Sequence, residues 1–225
     1  MQRLRPRSRQ PAEGLALLAA IVGLMWLIEA INALTTGGHG LDDEGAIYAR
    51  SIGHLWAIFT APFLHVGWAH LIDNTIPLVF MGVFVALRGA ARLALVTLIV
   101  MLIGGFGTWL IAPSGTETVG ASGIVFGYAT YLLTRGVFDR SWVEILIGLV
   151  VGVVWGGALL SSLVPQHGIS WQGHACGAIG GVVAAWLLGA HRARAGRGTP
   201  SGTPPGAEAL GGRTHGDALD RALAQ

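Results

Sequence analysis

Charged side chains are scarce in this sequence, and lysine is absent. Only 12% of the 225 residues are charged, whereas 52% are hydrophobic, and all fourteen basic residues are arginines. The mean hydropathy is correspondingly high, at +0.61. Since soluble globular domains carry about 25% charged residues, the composition excludes an ordinary soluble domain and favours an integral membrane protein.

Cysteine is almost absent too, and the single Cys176 lies inside an apolar run. No internal disulfide is therefore available, and the redox compartment cannot be read from the sequence. A pI of 9.2 is compatible with nucleic acid binding, but arginines that bracket apolar runs are typical of membrane topology. The first apolar run, about residues 14–34, exceeds the roughly 7–15 residues of a signal-peptide core. We interpret it as a retained anchor.

Six apolar segments approach the roughly 20 residues that cross a bilayer core. Their predicted bounds are 14–35, 62–87, 91–112, 121–137, 142–164 and 171–190. The fold class predicted is therefore all-α, with a polytopic membrane domain of six transmembrane helices over residues 14–190. A basic N-terminus (1–13) precedes it, and a Gly/Pro-rich tail (191–225), predicted to be disordered, follows it. The long connection 36–61 mixes acidic and apolar residues and is expected to lie partly in the interface.

The arginines predict the orientation. All but one of the fourteen precede the first segment, follow the last, or lie in or close beside the second-to-third and fourth-to-fifth connections; the exception is Arg50. By the positive-inside rule, both termini are cytoplasmic. The second, fourth and sixth segments then run inward, so polar residues near their starts share one depth below the outer surface.

Small residues predict which helices meet. Gly173, Gly177 and Gly181 recur every four residues on the sixth segment, and Gly123 and Gly127 do so on the fourth. Such stripes let membrane helices approach closely, although most of them serve packing alone. We expect the fourth and sixth segments to be in close contact.

That contact would bring Ser122 within hydrogen-bond reach of His174. A serine hydroxyl is a poor nucleophile until a base removes its proton, and a neutral imidazole suits that role. Taken singly, Ser122 is more simply a hydroxyl bonded to its own helix, and His174 a polar packing residue. Together at one depth, they indicate a catalytic Ser-His dyad.

The second segment carries further donors. His70 and Asn74 are four residues apart and share a helix face, where they could stabilise an oxyanion together with the backbone N–H of Ser122. His65 lies away from that face and is given a supporting role. A metal site is not expected, because there is no HExxH motif and Cys176 lies on the opposite side of its helix from His174.

Across about residues 10–190 the chain resembles the rhomboid intramembrane serine proteases. The resemblance rests on three motifs in order on a six-segment frame, which are Gly120-Ala121-Ser122-Gly123, the pattern His65, His70 and Asn74, and His174-Ala175-Cys176-Gly177. It implies that Ser122 is the nucleophile, His174 the general base and acid, and His70 and Asn74 the oxyanion donors. It also implies supporting roles for Gly120, Gly123, Gly177 and Phe126, and substrates cleaved in transmembrane segments without a metal or cofactor.

Two positions depart from the family pattern. The Trp-Arg pair of the first connection appears here as Trp56-Ala57, so Arg50 is a candidate for the missing anchor. Phe126 stands where bacterial relatives often carry tyrosine against the catalytic imidazole, and it keeps the ring without the hydroxyl. Neither departure touches the dyad.

The expected function is hydrolysis of peptide bonds in or near transmembrane segments of membrane-anchored substrates. We expect a bacterial plasma membrane protein whose site opens to the extracytoplasmic side, with lipid and transmembrane proteins as partners and no nucleic acid. One alternative is a non-proteolytic rhomboid-like protein that binds transmembrane clients. Another is a small transporter, which is disfavoured because no repeat relates the two halves of the chain.

Overall fold

A computed structural model describes residues 9–35 and 40–195, with side chains as far as Gly189. The described chain is mostly helical. Its helices are α1 (Gln10–Thr35), α2 (Gly40–Gly45), α3 (Gly67–Ala86), α4 (Ala90–Ile111), α5 (Ser122–Asp139), α6 (Trp142–Ser161) and α7 (Trp171–Ala195). Two short strands, β1 (Ile47–Tyr48) and β2 (Glu117–Thr118), pair with each other. Residues up to His191 form one compact unit, and Arg192–Gln225 form a second, of which only the end of α7 is described.

Each of the six predicted segments coincides with a long helix, but some boundaries differ. The second segment was predicted to start at residue 62, which is wrong, because α3 begins at Gly67. Pro62 lies in a short 3-10 turn, Ala61–Phe63, and Gly67, the first residue of α3, has a positive φ of 83°, so the chain changes direction as the helix begins. Helix α7 continues to Ala195. The rest of the predicted tail lies outside the described residues, as do residues 1–8.

Four helices in the described part of the chain are long and apolar enough to cross a membrane, namely α1, α3, α4 and α6. Among the other long helices, α5 is less apolar because Arg135 and Asp139 lie near its end. The chain is therefore a mostly helical membrane protein with at least four candidate spans.

Helix α5 lies at the centre of the packing and contacts α3, α4 and α6. Its contact with α7 depends on glycine, because a Cβ on Gly177 would overlap the backbone of Gly123, and one on Gly181 would overlap that of Gly127. The Thr130 hydroxyl adds a hydrogen bond across this contact, donating to the carbonyl of Ala178 at 2.7 Å. The expected close approach of the two glycine stripes is thus present.

The first connection is more ordered than its sequence suggested. Its strand β1 pairs antiparallel with β2, with Ile47 opposite Thr118, and so joins this connection to the loop before Ser122. Arg50 anchors the first connection at a second point. Its guanidinium donates to the carbonyls of Leu110 at 3.0 Å and Ala112 at 2.7 Å, at the end of α4, and also bonds the Ser114 hydroxyl. Arg50 thereby satisfies carbonyls that a helix C-terminus leaves open.

A buried ion-pair cluster lies near the end of α5 opposite to Ser122. Arg135 is 2% exposed and pairs with Asp139 at 2.9 Å and Glu144 at 3.6 Å, and Arg88 pairs with the same glutamate. Removing one partner of a buried pair leaves an uncompensated charge, so this cluster ties together the ends of α3, α5 and α6.

Candidate active site

Ser122 is the first residue of α5, at the end of a loop whose shape depends on Gly120. Gly120 has a φ of +109°, a backbone angle that favours glycine. A Cβ at this position would lie 2.8 Å from Cε1 and 2.9 Å from Nε2 of the His70 ring. The glycine is therefore needed both for the turn and for the close approach of α3 to the loop.

His174 lies in the first turn of α7 and is 6% exposed. Its Nδ1 is 2.8 Å from the backbone carbonyl oxygen of Ser162, in the residue that follows α6. A carbonyl can only accept, so Nδ1 of the ring carries the proton. In the neutral imidazole this leaves Nε2 as the proton acceptor, which is the tautomer that a general base requires.

Phe126 sets the plane of that imidazole. The two rings stack with centroids 4.3 Å apart and planes inclined by 8°. Phe126 is one helical turn along α5 from Ser122, so His174 is held against the part of α5 that carries the serine. No hydrogen bond joins the Ser122 hydroxyl to His174 in the described structure. Such bonds are often long in a substrate-free site and shorten when substrate binds.

The two expected oxyanion donors border the serine loop. Asn74 donates one side-chain N–H to the carbonyl of His70 at 2.9 Å, which leaves its second N–H available. His70 accepts the Val66 N–H at Nδ1, at 3.4 Å, so its own proton is on Nε2, the nitrogen nearest Gly120. Both side chains are thus able to donate next to the loop.

His65, two residues before α3 begins, supports the same loop. It is 1% exposed, and its Nε2 accepts the backbone N–H of Ala121 at 3.3 Å. Burial, together with the neighbouring His70, lowers the pKa of His65 to about 4. The ring is therefore neutral at pH 7 and able to accept that bond, a contact of the kind a supporting residue makes.

A small cavity of about 40 Å³ adjoins Ser122, Gly123 and Gly173, enough for a water molecule. Its lining includes the hydroxyl residues Thr108, Thr118 and Ser170. These were not predicted as site residues. For Ser170 a signal was present, since serine directly before a helix is a typical N-cap, and its Oγ does accept the Gly173 N–H at 3.3 Å.

The fold and the site together define a polytopic helical membrane protein with a serine at the start of one helix and a buried, tautomer-fixed histidine on the next but one. The Rhomboid domain family model matches residues 52–191, which include every residue of the site. The chain belongs to the Rhomboid domain family.

Two relatives with rhomboid names agree with this assignment, and a third relative, with higher identity, is uncharacterized. The chain is 43% identical over 186 residues to an uncharacterized protein of Mycobacterium tuberculosis, covering 79% of this chain and 76% of that one. It is 30% identical over 188 residues to Rhomboid protease GluP of Bacillus subtilis, covering 80% of this chain but 35% of GluP. It is also 28% identical over 171 residues to Putative rhomboid protease YdcA of the same organism, covering 76% of this chain and 85% of YdcA.

Proposed function

We propose that the protein is an intramembrane serine protease that hydrolyses peptide bonds in or near transmembrane segments of membrane-anchored substrates. The observation that carries the proposal is the state of His174. Its Nδ1 is bonded to a carbonyl and its ring is stacked on Phe126, one turn from Ser122. This leaves Nε2 as the ring nitrogen able to act as a base, in an imidazole packed one turn from the family's serine motif.

The proposed reaction begins with attack of the Ser122 hydroxyl on the scissile carbonyl carbon, while its proton passes to Nε2 of His174. The resulting oxyanion is stabilised by His70, Asn74 and the backbone N–H of Ser122 at the start of α5. His174 then donates its proton to the leaving amine. Water attacks the acyl-enzyme by the reverse proton transfer, and the cavity beside Ser122 is suited to hold it.

We further propose that all six long helices span the bilayer, with both termini in the cytoplasm. Helix α5 has 18 residues and is about 27 Å long, slightly less than the ~30 Å hydrocarbon core. Its first residue, Ser122, therefore lies recessed below the outer surface of a bacterial plasma membrane. The recess places the site at the depth of a substrate's outer transmembrane turns.

The test is reconstitution with a fluorogenic transmembrane substrate. We expect Ser122→Ala and His174→Ala to abolish cleavage and labelling by a fluorophosphonate probe. Ser161→Ala is the matched control, because that hydroxyl bonds only the Ala158 carbonyl of its own helix. Equal cleavage by all four proteins would exclude the proposal.

The alternative is a rhomboid-like protein that binds transmembrane clients without cutting them. It is favoured by one observation, the lack of a Ser122–His174 hydrogen bond among the described contacts. Under this alternative the wild type and Ser122→Ala retain the same transmembrane peptide in a pull-down, and neither releases a product. Cleavage of the peptide by the wild type but not by Ser122→Ala would favour the protease over this alternative.

A further inference from the structure

A second, larger recess lies away from Ser122, on another face of α4. It has a volume of about 640 Å³, and its walls come from the first connection, α4 and α7. Representative lining residues are Phe59 of the connection, Leu102 and Phe106 of α4, and Cys176 and Ile179 of α7. Apart from the Cys176 thiol, every lining side chain is apolar. We call this recess the α4–α7 groove.

The chemistry of the groove selects a hydrocarbon occupant. Water would find almost no hydrogen-bond partner on these walls, and an unfilled recess would lose dispersion contacts on every side. Its volume lies within the roughly 300–1,000 Å³ range of small-molecule sites. Since α4 is a candidate membrane span, the solvent at this face is lipid, and an acyl chain is the apolar group available to fill the groove.

A cation lies beyond one end of the groove. Arg50 bonds the carbonyl of Leu110, which is one helical turn, about 5.4 Å, past Phe106 on α4. Its described bonds use three N–H groups, to Leu110, Ala112 and Ser114, whereas a guanidinium has five. Two donors are left for a phosphate oxygen, which arginine binds well. Arg50 is also the one arginine between residues 10 and 87.

The neighbouring aromatic residues also suit a location at the level of the lipid headgroups, where the phosphate would lie. Trp56 and Phe59, on the connection that forms one wall of the groove, are 51% and 50% exposed. Tryptophan is enriched at the boundary between headgroups and hydrocarbon. The groove therefore extends from headgroup level inward along α4.

We propose that the α4–α7 groove binds one acyl chain of an outer-leaflet phospholipid, whose phosphate is held by Arg50. The proposal rests on the membrane orientation given under the proposed function, but not on proteolysis. A bound chain would pack against Cys176, two residues after His174 on α7. It would thus support the helix that carries the histidine.

The acyl-chain part is tested with the full chain in liposomes of phosphatidylglycerol and phosphatidylcholine. A phospholipid with a photoreactive diazirine in the middle of its acyl chain is added in trace amount, and adducts are mapped by peptide mass spectrometry after irradiation. We expect adducts to concentrate on groove residues, and Leu102→Trp, which fills the groove, to reduce them several-fold. Leu98→Trp is the matched control, because Leu98 lies one turn away on α4 with nearly the same exposure, 43% against 42%.

The headgroup part is tested with the same probe. Arg50→Gln should lower the adduct yield several-fold, whereas Ser114→Ala, which removes one bond of the guanidinium but keeps its charge, should not. If Arg50→Gln fails to fold, a diazirine diacylglycerol without phosphate replaces it and should label the wild-type groove several-fold less than the phospholipid does.

Two results would overturn the proposal. These are adducts as dense around Leu98 as in the groove, and labelling that is indifferent to both Arg50 and the phosphate. Because labelling does not require cleavage, a protein that labels as expected but cuts nothing would lose the proposed protease function and keep this site. A protein that cuts the substrate but does not label as expected would keep the proposed protease function and lose this site.

Discussion

At the scale of single residues, Gly120 decides the shape of the loop before Ser122. An alanine there would adopt a φ of +109° and also place its Cβ 2.8 Å from the ring of His70. A strained backbone alone costs about 1–3 kcal/mol. We expect Gly120→Ala to lower the free energy of unfolding by at least this amount and to abolish substrate cleavage, measured by thermal unfolding in detergent and by the fluorogenic assay.

Gly115 provides the control for this prediction. Its φ is +79°, so Gly115→Ala suffers a similar backbone strain, but no atom lies within 4 Å of the added Cβ. It should lose some stability and keep its activity. If the two variants were equally active, the contact between Gly120 and His70 would have no part in the site.

Phe126 permits a second test at this scale, because its stacking on His174 is a contact that side-chain identity controls directly. Aromatic pairs contribute about 0.5–1.5 kcal/mol, equivalent to roughly 2–10-fold in rate. Phe126→Leu should lower the cleavage rate by about that factor through a less ordered imidazole, and Phe126→Tyr, which keeps the ring, should not. A leucine variant with the wild-type rate would show that stacking does not position the base.

At the scale of elements, the α5–α7 contact depends on the absence of side chains. Gly181→Ala would push a Cβ into the backbone of Gly127 and the Thr130 hydroxyl, and overpacking of this kind costs about 1–3 kcal/mol. Gly157→Ala on α6 meets nothing within 4 Å and should be neutral or stabilising by up to about 1 kcal/mol. Thermal unfolding of both variants should therefore show shifts of different sign or size, and matching shifts would contradict the close contact.

Periodic patterns made this level of the structure predictable. The four-residue glycine spacing pointed to the α5–α7 contact, and the spacing of His70 and Asn74 predicted that both lie on one face of their helix. The two-residue strands β1 and β2 were missed, because they are too short for an alternating pattern and are almost 70 residues apart. The carbonyl of Ser162 was missed for a different reason, since a backbone acceptor leaves no trace in side-chain identity.

At the scale of the whole molecule, charge separates the two ends of the bundle. Two arginines assigned to connections lie inside helices: Arg92 is in the first turn of α4, and Arg135 lies in α5, buried in the ion-pair cluster with Asp139 and Glu144. The same orientation is still expected, because the arginines at the N-terminus, after α7 and in the two connections still outnumber Arg50. Each arginine at a helix centre costs about 2.5–3.5 kcal/mol to insert, which is why their distribution directs topology.

The orientation leads to a prediction that uses the scarcity of cysteine. With Cys176→Ala as background, Gly53→Cys reports on the first connection and Ala91→Cys on the first turn of α4; both positions are exposed. Because Arg88 and Arg92 flank the second position, it should remain cytoplasmic. A membrane-impermeant maleimide should therefore label Gly53→Cys in intact cells and Ala91→Cys only after permeabilisation. Labelling of Ala91→Cys in intact cells, and of Gly53→Cys only after permeabilisation, would show the opposite topology. Ser122 would then lie at the cytoplasmic side, and Arg50 would not lie in the outer leaflet, where the lipid phosphate is proposed to bind.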